Sequence, residues 1–414
     1  MQTAPPSGAS RRMSDLGHPI AAGVIAAVTG FASSFTLVIA GLVAVGATPA
    51  QAASGLFALS LGQGLLCIVM SVAFRLPLAF AWSTPGAAVM IAAGGLTGDF
   101  GSAIGAFLVC AALLLLTGAW PALARAMTRI PPAIGSAMLA GILVPICLAP
   151  VQAAVEMPVL ALPAVLVWAL LARLAPRWAV AGAVIATITA IAVSGRASGF
   201  GEYSLAPTLE FVAPSFDPLV IVSLGVPLYL VTMAGQNVPG FAVLRTFGYH
   251  EPPARAILLG TGAASAVTAP FGGYVLNLAA ITAAMMAGPD AHADARRRWI
   301  ATLTCGVAYL VLAFGASAAS ALVAVAPPIL ITAVAGLALF GAFGSSISDA
   351  LREPARRVVA VLTFLVVVSG VTIVGIGSAF WGLVVGALAY LWLVLSRRPR
   401  QSAADTVAAS ETGS

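Results

Sequence analysis

Charge is almost absent from the long apolar runs of this chain, and that constrains the fold more than any other feature. Only 8% of its 414 residues are Asp, Glu, Lys or Arg, and 61% are hydrophobic. A soluble domain carries roughly 25% charged residues. So few charges cannot cover a water-soluble surface, which excludes a cytosolic enzyme, a secreted disulfide scaffold and a disordered chain. Many runs approach the roughly 20 residues that cross a hydrocarbon core. In lipid, backbone polar groups must be satisfied within the segment, which selects helices. The expected fold class is an all-α polytopic membrane protein.

Charged residues and Pro/Gly pairs divide the sequence into fourteen spans. They read as 20–46, 50–73, 76–95, 100–123, 132–153, 157–174, 178–195, 219–243, 253–268, 270–288, 299–320, 327–347, 355–375 and 377–396. A more polar connector occupies 196–217. Ser10-Arg11-Arg12 and Ala50-Gln51-Ala52 imitate a signal peptide. The run between them is too long for a signal h-region, so it reads as an uncleaved first span.

The basic residues orient these spans. All 19 are Arg. With a cytoplasmic N-terminus, alternation places 18 of the 19 inside and leaves only Arg196 outside. One missed span would destroy that agreement. The net charge of +6 therefore reflects topology, and no nucleic-acid partner is expected. Cys67, Cys110, Cys147 and Cys305 lie in apolar runs without metal-ligand spacing and read as packing residues. No cofactor is expected.

Seven spans per half is an odd number, so homologous halves would be inverted. Pro77-Leu-Ala-Phe-Ala-Trp-Ser-Thr-Pro-Gly-Ala-Ala opens span 3, and Pro270-Phe-Gly-Gly-Tyr-Val-Leu-Asn-Leu-Ala-Ala-Ile opens span 10. Pro131-Pro132 matches Pro327-Pro328, and Pro49-Ala-Gln-Ala matches Pro253-Ala-Arg-Ala. The three offsets are 193, 196 and 204. Inverted repeats with discontinuous helices mark secondary transporters, whose site lies near mid-membrane.

Spans 3 and 10 are the broken ones. Thr84 before Pro85 reads as an N-cap, and Asn277 occupies the matching place. Two half-helix N-termini would then face each other and offer free N–H groups to a small anion. The alternative is that both residues only cap helices; irregular backbone at membrane depth favours a pocket. Ser83 belongs to the same segment. Gln236 and Asn237 in span 8 are costly in lipid unless paired or functional, and an interhelical hydrogen bond is the competing reading. Phe80 and Tyr274 flank the half-helices and could stack an aromatic ligand. Ser33, Ser34 and Thr36 of span 1 are second choices. Trp82 alone among the tryptophans sits in a broken segment; the others read as an interfacial belt.

No ionisable side chain falls clearly within a span. Asp99, Asp290 and Asp349 read as solvated loop charges. Without a base, metal ligands or a nucleotide-binding motif in the membrane, intramembrane hydrolysis and ATP-driven transport are disfavoured.

The segments Ala234-Gly-Gln-Asn-Val-Pro-Gly-Phe-Ala-Val-Leu-Arg, Gly272-Gly-Tyr-Val-Leu-Asn-Leu-Ala-Ala-Ile-Thr and Pro131-Pro-Ala-Ile-Gly-Ser-Ala-Met-Leu-Ala-Gly resemble the bacterial benzoate:proton symporter family, related to the nucleobase–cation symporters. The resemblance implies two inverted seven-span repeats with a short strand before each half-helix. It divides the chain into a tail (1–18), core parts 19–126 and 219–320, gate parts 131–197 and 325–396, a connector (198–218) and a tail (397–414). Both tails would be cytoplasmic, in a bacterial inner membrane. Nucleobase carriers have an acid in span 8 at or beside the place of Gln236, and an aromatic, an acid and Asn in span 10. Tyr274 and Asn277 match, but Leu276 replaces the acid. That departure suits an anion and leaves the proton-coupling residue unassigned.

The sequence thus predicts proton-coupled uptake of benzoate or a similar aromatic carboxylate. Phe80, Ser83, Thr84, Gln236, Asn237, Tyr274 and Asn277 would form the site. The partners would be that substrate, a proton and membrane lipid, and the Gly, Ala and Val-rich gate faces would suit a homodimer. Another small anion, a nucleobase, a membrane receptor or a membrane enzyme are the alternatives.

Overall fold

A computed structural model of the protein describes residues 8–120, 122, 131–194 and 206–395. The expectations for Arg125, Arg129, Arg196 and the C-terminal tail fall outside them. The first helix, α1, runs over Gly8–Ala44, and α2 over Pro49–Phe74. Thr48 and Gln51 close a reciprocal capping box at the start of α2, with Pro49 in the first turn. Next come strand β1 (Phe80–Trp82), half-helix α3 (Thr84–Ala92) and α4 (Phe100–Ala119). Helices α5 (Pro132–Glu156), α6 (Pro158–Leu174) and α7 (Ala179–Val193) complete the first half.

The second half opens with α8 (Pro218–Thr246), which is interrupted by π-turns at Ile221–Gly225 and Met233–Asn237. It continues through α9 (Ala254–Thr268), strand β2 (Leu276–Leu278) and half-helix α10 (Ile281–Ala287). Helices α11 (Trp299–Ala313) and α12 (Ala316–Val325) follow each other across a bend of 56°. Helices α13 (Pro328–Leu351), α14 (Arg357–Val368) and α15 (Ser378–Tyr390) end it.

Every apolar segment read from the sequence contains helix among the described residues, and those of spans 3 and 10 also contain a strand. Among the described residues, seven helices are long and apolar enough to cross a membrane, and the bent pair makes up to eight. The segments of spans 3, 6, 9, 10, 13 and 14 form shorter helices, so length alone does not establish fourteen full crossings.

The expected extended segments are present and paired. β1 and β2 are antiparallel, with Phe80 opposite Leu278, Ala81 opposite Asn277 and Trp82 opposite Leu276. The strands are offset by 196 residues, as are the proline pairs that start α5 and α13. The Pro77/Pro270 alignment is therefore three residues out of register. Asn277 corresponds to Ala81 rather than Thr84, so the half-helix starts are not matched at Thr84 and Asn277.

Packing gathers the strand pair among α1–α4 and α8–α11, where the largest continuous core lies. Separately, α5 packs along α13 and α14, and α6 along α7. Three smaller apolar clusters fill these contacts. The residues of the connector at 206–217 strap the first group together. Ser54 Oγ accepts the Glu210 N–H at 2.8 Å, the Val212 N–H meets Pro270 O at 2.7 Å, and the Ser215 N–H meets Gly101 O at 2.9 Å.

Candidate functional site

The strand pair brings the broken segments together and leaves a cavity of about 80 Å³ beside them. Gly30, Ser33 and Ser34 of α1 line one side, and Ala81, Trp82 and Thr84 line another. Gln236, the Ala279–Thr282 turn and Tyr309 close it. No charged side chain is among these residues.

The start of α3 sets the polar wall. Ser83, not Thr84, is the N-cap: its Oγ accepts the Gly86 N–H at 3.0 Å. The Thr232 hydroxyl donates to the same oxygen at 2.8 Å. First-turn N–H groups lack intrahelical acceptors. Pro85 has no N–H and that of Gly86 is taken, which leaves the Thr84 N–H and hydroxyl at the cavity edge. Ser83→Ala is expected to lower stability by about 1–2 kcal/mol, read from the thermal unfolding midpoint.

The π-turn in α8 separates two adjacent amides. Gln236 reaches the cavity. Asn237 is fully buried, and its Oδ1 accepts the Leu278 N–H at 2.9 Å, so it holds β2. A single extra residue per turn of this kind recurs at functional sites.

Aromatic rings line the cavity beside this polar edge. Trp82 meets Tyr309 edge-on at 5.7 Å and Phe31 at 6.0 Å between ring centroids. Its Nε1–H donates to Ser34 Oγ at 3.0 Å, and Ser34 donates onward to Gly30 O at 2.7 Å.

Of the seven site residues expected from sequence, only Thr84 and Gln236 line this cavity. The other five support it. Phe80 is buried in the core, where its N–H contacts Cys67 Sγ at 3.4 Å. Tyr274 is buried against Phe107, and its hydroxyl donates to Ser83 O at 2.9 Å. Neither ring lines the cavity; the aromatic rings that do are Trp82 and Tyr309. Asn277 lies in β2 and donates to Leu278 O at 2.9 Å, and α10 begins four residues later with Ala280 as its uncapped start. Its expected role as a half-helix cap does not hold, because the strand extends through it.

A family model described as "Benzoate membrane transport protein" matches residues 16–392. The chain belongs to the benzoate membrane transport protein family. This family member is a multi-pass membrane transporter, and its placement in the inner membrane agrees with a curated relative. That relative, inner membrane protein YdcO of Escherichia coli, is 39% identical over 376 residues, 90% of this chain and 95% of its own. The benzoate membrane transport protein of Acinetobacter baylyi is 32% identical over 342 residues, covering 82% and 86%. Two solved structures share the fold. The transmembrane domain of the cyanobacterial bicarbonate transporter BicA aligns with a TM-score of 0.55 at 16% identity, covering 89% of this chain and 97% of its own. The murine Solute Carrier 26 member A9 anion transporter, in its inward-facing state, aligns with a TM-score of 0.60 at 12% identity, covering 97% and 74%.

Three features of this transporter's site escape a reading by composition. Tyr309 and Gln63 lie within long apolar helices, and only the fold brings them to the strand pair. Arg298 reads as a topology charge but is buried. Its guanidinium donates to Ala287 O at the end of α10 and to His292 O, both at 2.8 Å. The three acids read from sequence as solvated loop charges do not line the cavity: Asp99 caps α4, Asp349 pairs with exposed Arg352, and Asp290 is exposed in a turn.

Proposed function

We propose that this protein takes up benzoate or a similar aromatic carboxylate together with a proton. The observation that carries this reading is the cavity's division into an aromatic wall and a neutral donor wall. The carboxylate lies at the first turn of α3, against the Thr84 N–H and hydroxyl, where the positive end of the helix dipole favours an anion. Gln236 supplies an amide donor, and the ring lies along Trp82 and Tyr309. A carboxylate in that wall would repel such a cargo. Leu276, where nucleobase carriers have an acid, fits the same chemistry.

The cavity is about half the roughly 150 Å³ that holds benzene in an engineered apolar site. Binding therefore parts its walls. A larger cleft of about 400 Å³ lies between α1, α12 and α13, lined by Ile39, Ala40, Val43, Ile91, Val323 and Ile331 among others. Ala40 is roughly 9 Å further along α1 than Ser34, at 1.5 Å per residue. With a cytoplasmic N-terminus, this cleft faces outward and offers an apolar path to the ring. Alternating access then moves the α1–α4 and α8–α12 group, as the core, against α5–α7 and α13–α15, as the gate. Exposed apolar residues such as Val159, Leu166 and Val193 meet lipid.

The deciding experiment is uptake of labelled benzoate into proteoliposomes, with and without an inward proton gradient. Uptake above that of protein-free vesicles, accelerated by the gradient, is expected; none under either condition contradicts the reading. The two fold neighbours are a bicarbonate and an anion transporter, which favours other small anions as the second reading. Competition by bicarbonate or a dicarboxylate in the same assay separates the two.

A further inference from the structure

Gln63 lies on α2, fully buried behind the strand pair. Its Oε1 accepts the Trp82 N–H at 3.2 Å. Its Nε2 is buried without a hydrogen-bond partner, an expensive state for a donor in a low-dielectric interior. At the next residue α2 packs against α11, where a Cβ on Gly64 would lie 2.8 Å from Gly306 O, and this contact brings Tyr309, one turn along α11, to the side of the amide; Tyr309 also lines the cavity.

Gly30 of α1 makes room for that hydroxyl: a Cβ there would come within 2.6 Å of the phenolic oxygen. The carbonyl of Gly30 already accepts from the Ser33 and Ser34 hydroxyls, at 3.1 and 2.7 Å. Both of its lone pairs are engaged, so it does not compete for the tyrosine proton. On the α2 side, the Gln63 oxygen is committed to Trp82, and the remaining amide group can only donate. A phenol has one proton and accepts through its lone pairs. An amide donor behind the oxygen leaves the phenolic proton directed into the cavity.

We propose that Tyr309 donates a hydrogen bond to the carboxylate of the cargo, and that Gln63 is the positioning residue that fixes the direction of its hydroxyl. This rests on the aromatic-carboxylate reading above. Closing the contact between the amide and the phenol satisfies the unpartnered donor and points the proton at the ligand in one step.

The test is calorimetric titration of the purified full-length protein with benzoate and with benzamide, its uncharged analogue. Tyr309→Phe keeps the ring and is expected to weaken benzoate binding by about 10- to 100-fold, with little change for benzamide. Gln63→Glu keeps the acceptor for the Trp82 N–H and, titrated above the pKa of the introduced acid, which burial raises, draws the phenolic proton back, so that the same selective loss is expected there. The double variant should bind benzoate no more weakly than the worse single one, because both act on one interaction. Wild-type benzoate affinity in Tyr309→Phe overturns the proposal. So does equal loss of both ligands, which marks a role in shape alone, or independent multiplication of the two losses. Should Gln63→Glu fail to fold, Tyr309→Phe with its benzamide control decides by itself. Absence of benzoate binding by the wild type overturns the cargo reading itself.

Discussion

Gln236→Glu is expected to abolish benzoate binding at pH 7.5, whereas Gln236→Leu weakens it by roughly tenfold. Leucine removes one hydrogen bond to a charged group, worth about 1.5–3 kcal/mol, and the lower end applies because Thr84 remains. Glutamate adds a second negative charge to a site in which Gln236 is already buried. At about 5 Å and an effective dielectric near 20, two such charges repel by roughly 3 kcal/mol. Added to the lost donor, this exceeds three powers of ten in affinity. The pH dependence has a definite sign. Burial and a neighbouring carboxylate both raise the pKa of the introduced acid. Below that pKa the side chain is neutral and close to glutamine in shape, so binding recovers as the pH falls from 8 towards 6. Titration of benzoate across that range checks it. Equal affinity of Gln236→Glu and wild type at pH 7.5 would remove Gln236 from the site.

The largest structural effect is expected where α2 meets the turn before β2. Gly55 and Gly272 touch backbone to backbone: a Cβ on Gly55 would lie 2.5 Å from Gly272 O, and one on Gly272 would lie 3.0 Å from Gln51 O. Gly272 also has φ +89°, a region that costs an L side chain about 1–2 kcal/mol. Gly55→Ala is expected to cost about 1–3 kcal/mol through overpacking, and Gly272→Ala a similar amount through both terms. The displaced turn carries β2, so benzoate binding falls along with the unfolding midpoint. Gly341→Ala is the control, since nothing lies within 4 Å of its added Cβ. If all three variants unfold alike, the close approach has no role in holding the strands.

Much of the architecture is legible because lipid makes hydrophobicity a direct report of position. Each apolar run contains helix, and the proline pairs at 131–132 and 327–328 both open long helices. The broken segments were identifiable from Pro, Gly and hydroxyl residues. Their register was not, because Ala-rich sequence aligns nearly as well when shifted by three residues, and only the strand ladder distinguishes Ala81 from Thr84 as the partner of Asn277. The site divided along similar lines. Thr84 and Gln236 stand out as polar residues in apolar surroundings and do line the cavity. Phe80 and Tyr274 stand out as aromatics, but a large ring in a broken segment serves packing as readily as binding. Tyr309 and Gln63 left no local signal, since their significance comes from helices more than 200 residues apart in sequence meeting behind one strand. Arg298 conceals its role for a different reason. It sits in a triplet whose charge explains topology, while its burial beneath α10 depends on the turn that precedes it.

The central claim is that an aromatic carboxylate rests beside the strand pair. The most direct measurement is a structure of the protein with 4-iodobenzoate, locating the iodine by its anomalous signal. One peak is predicted within the walls formed by Trp82, Tyr309 and the Ala279–Thr282 turn, with the carboxylate towards Thr84 and Gln236. A peak only in the cleft between α1 and α13, or none at saturating ligand, would contradict it.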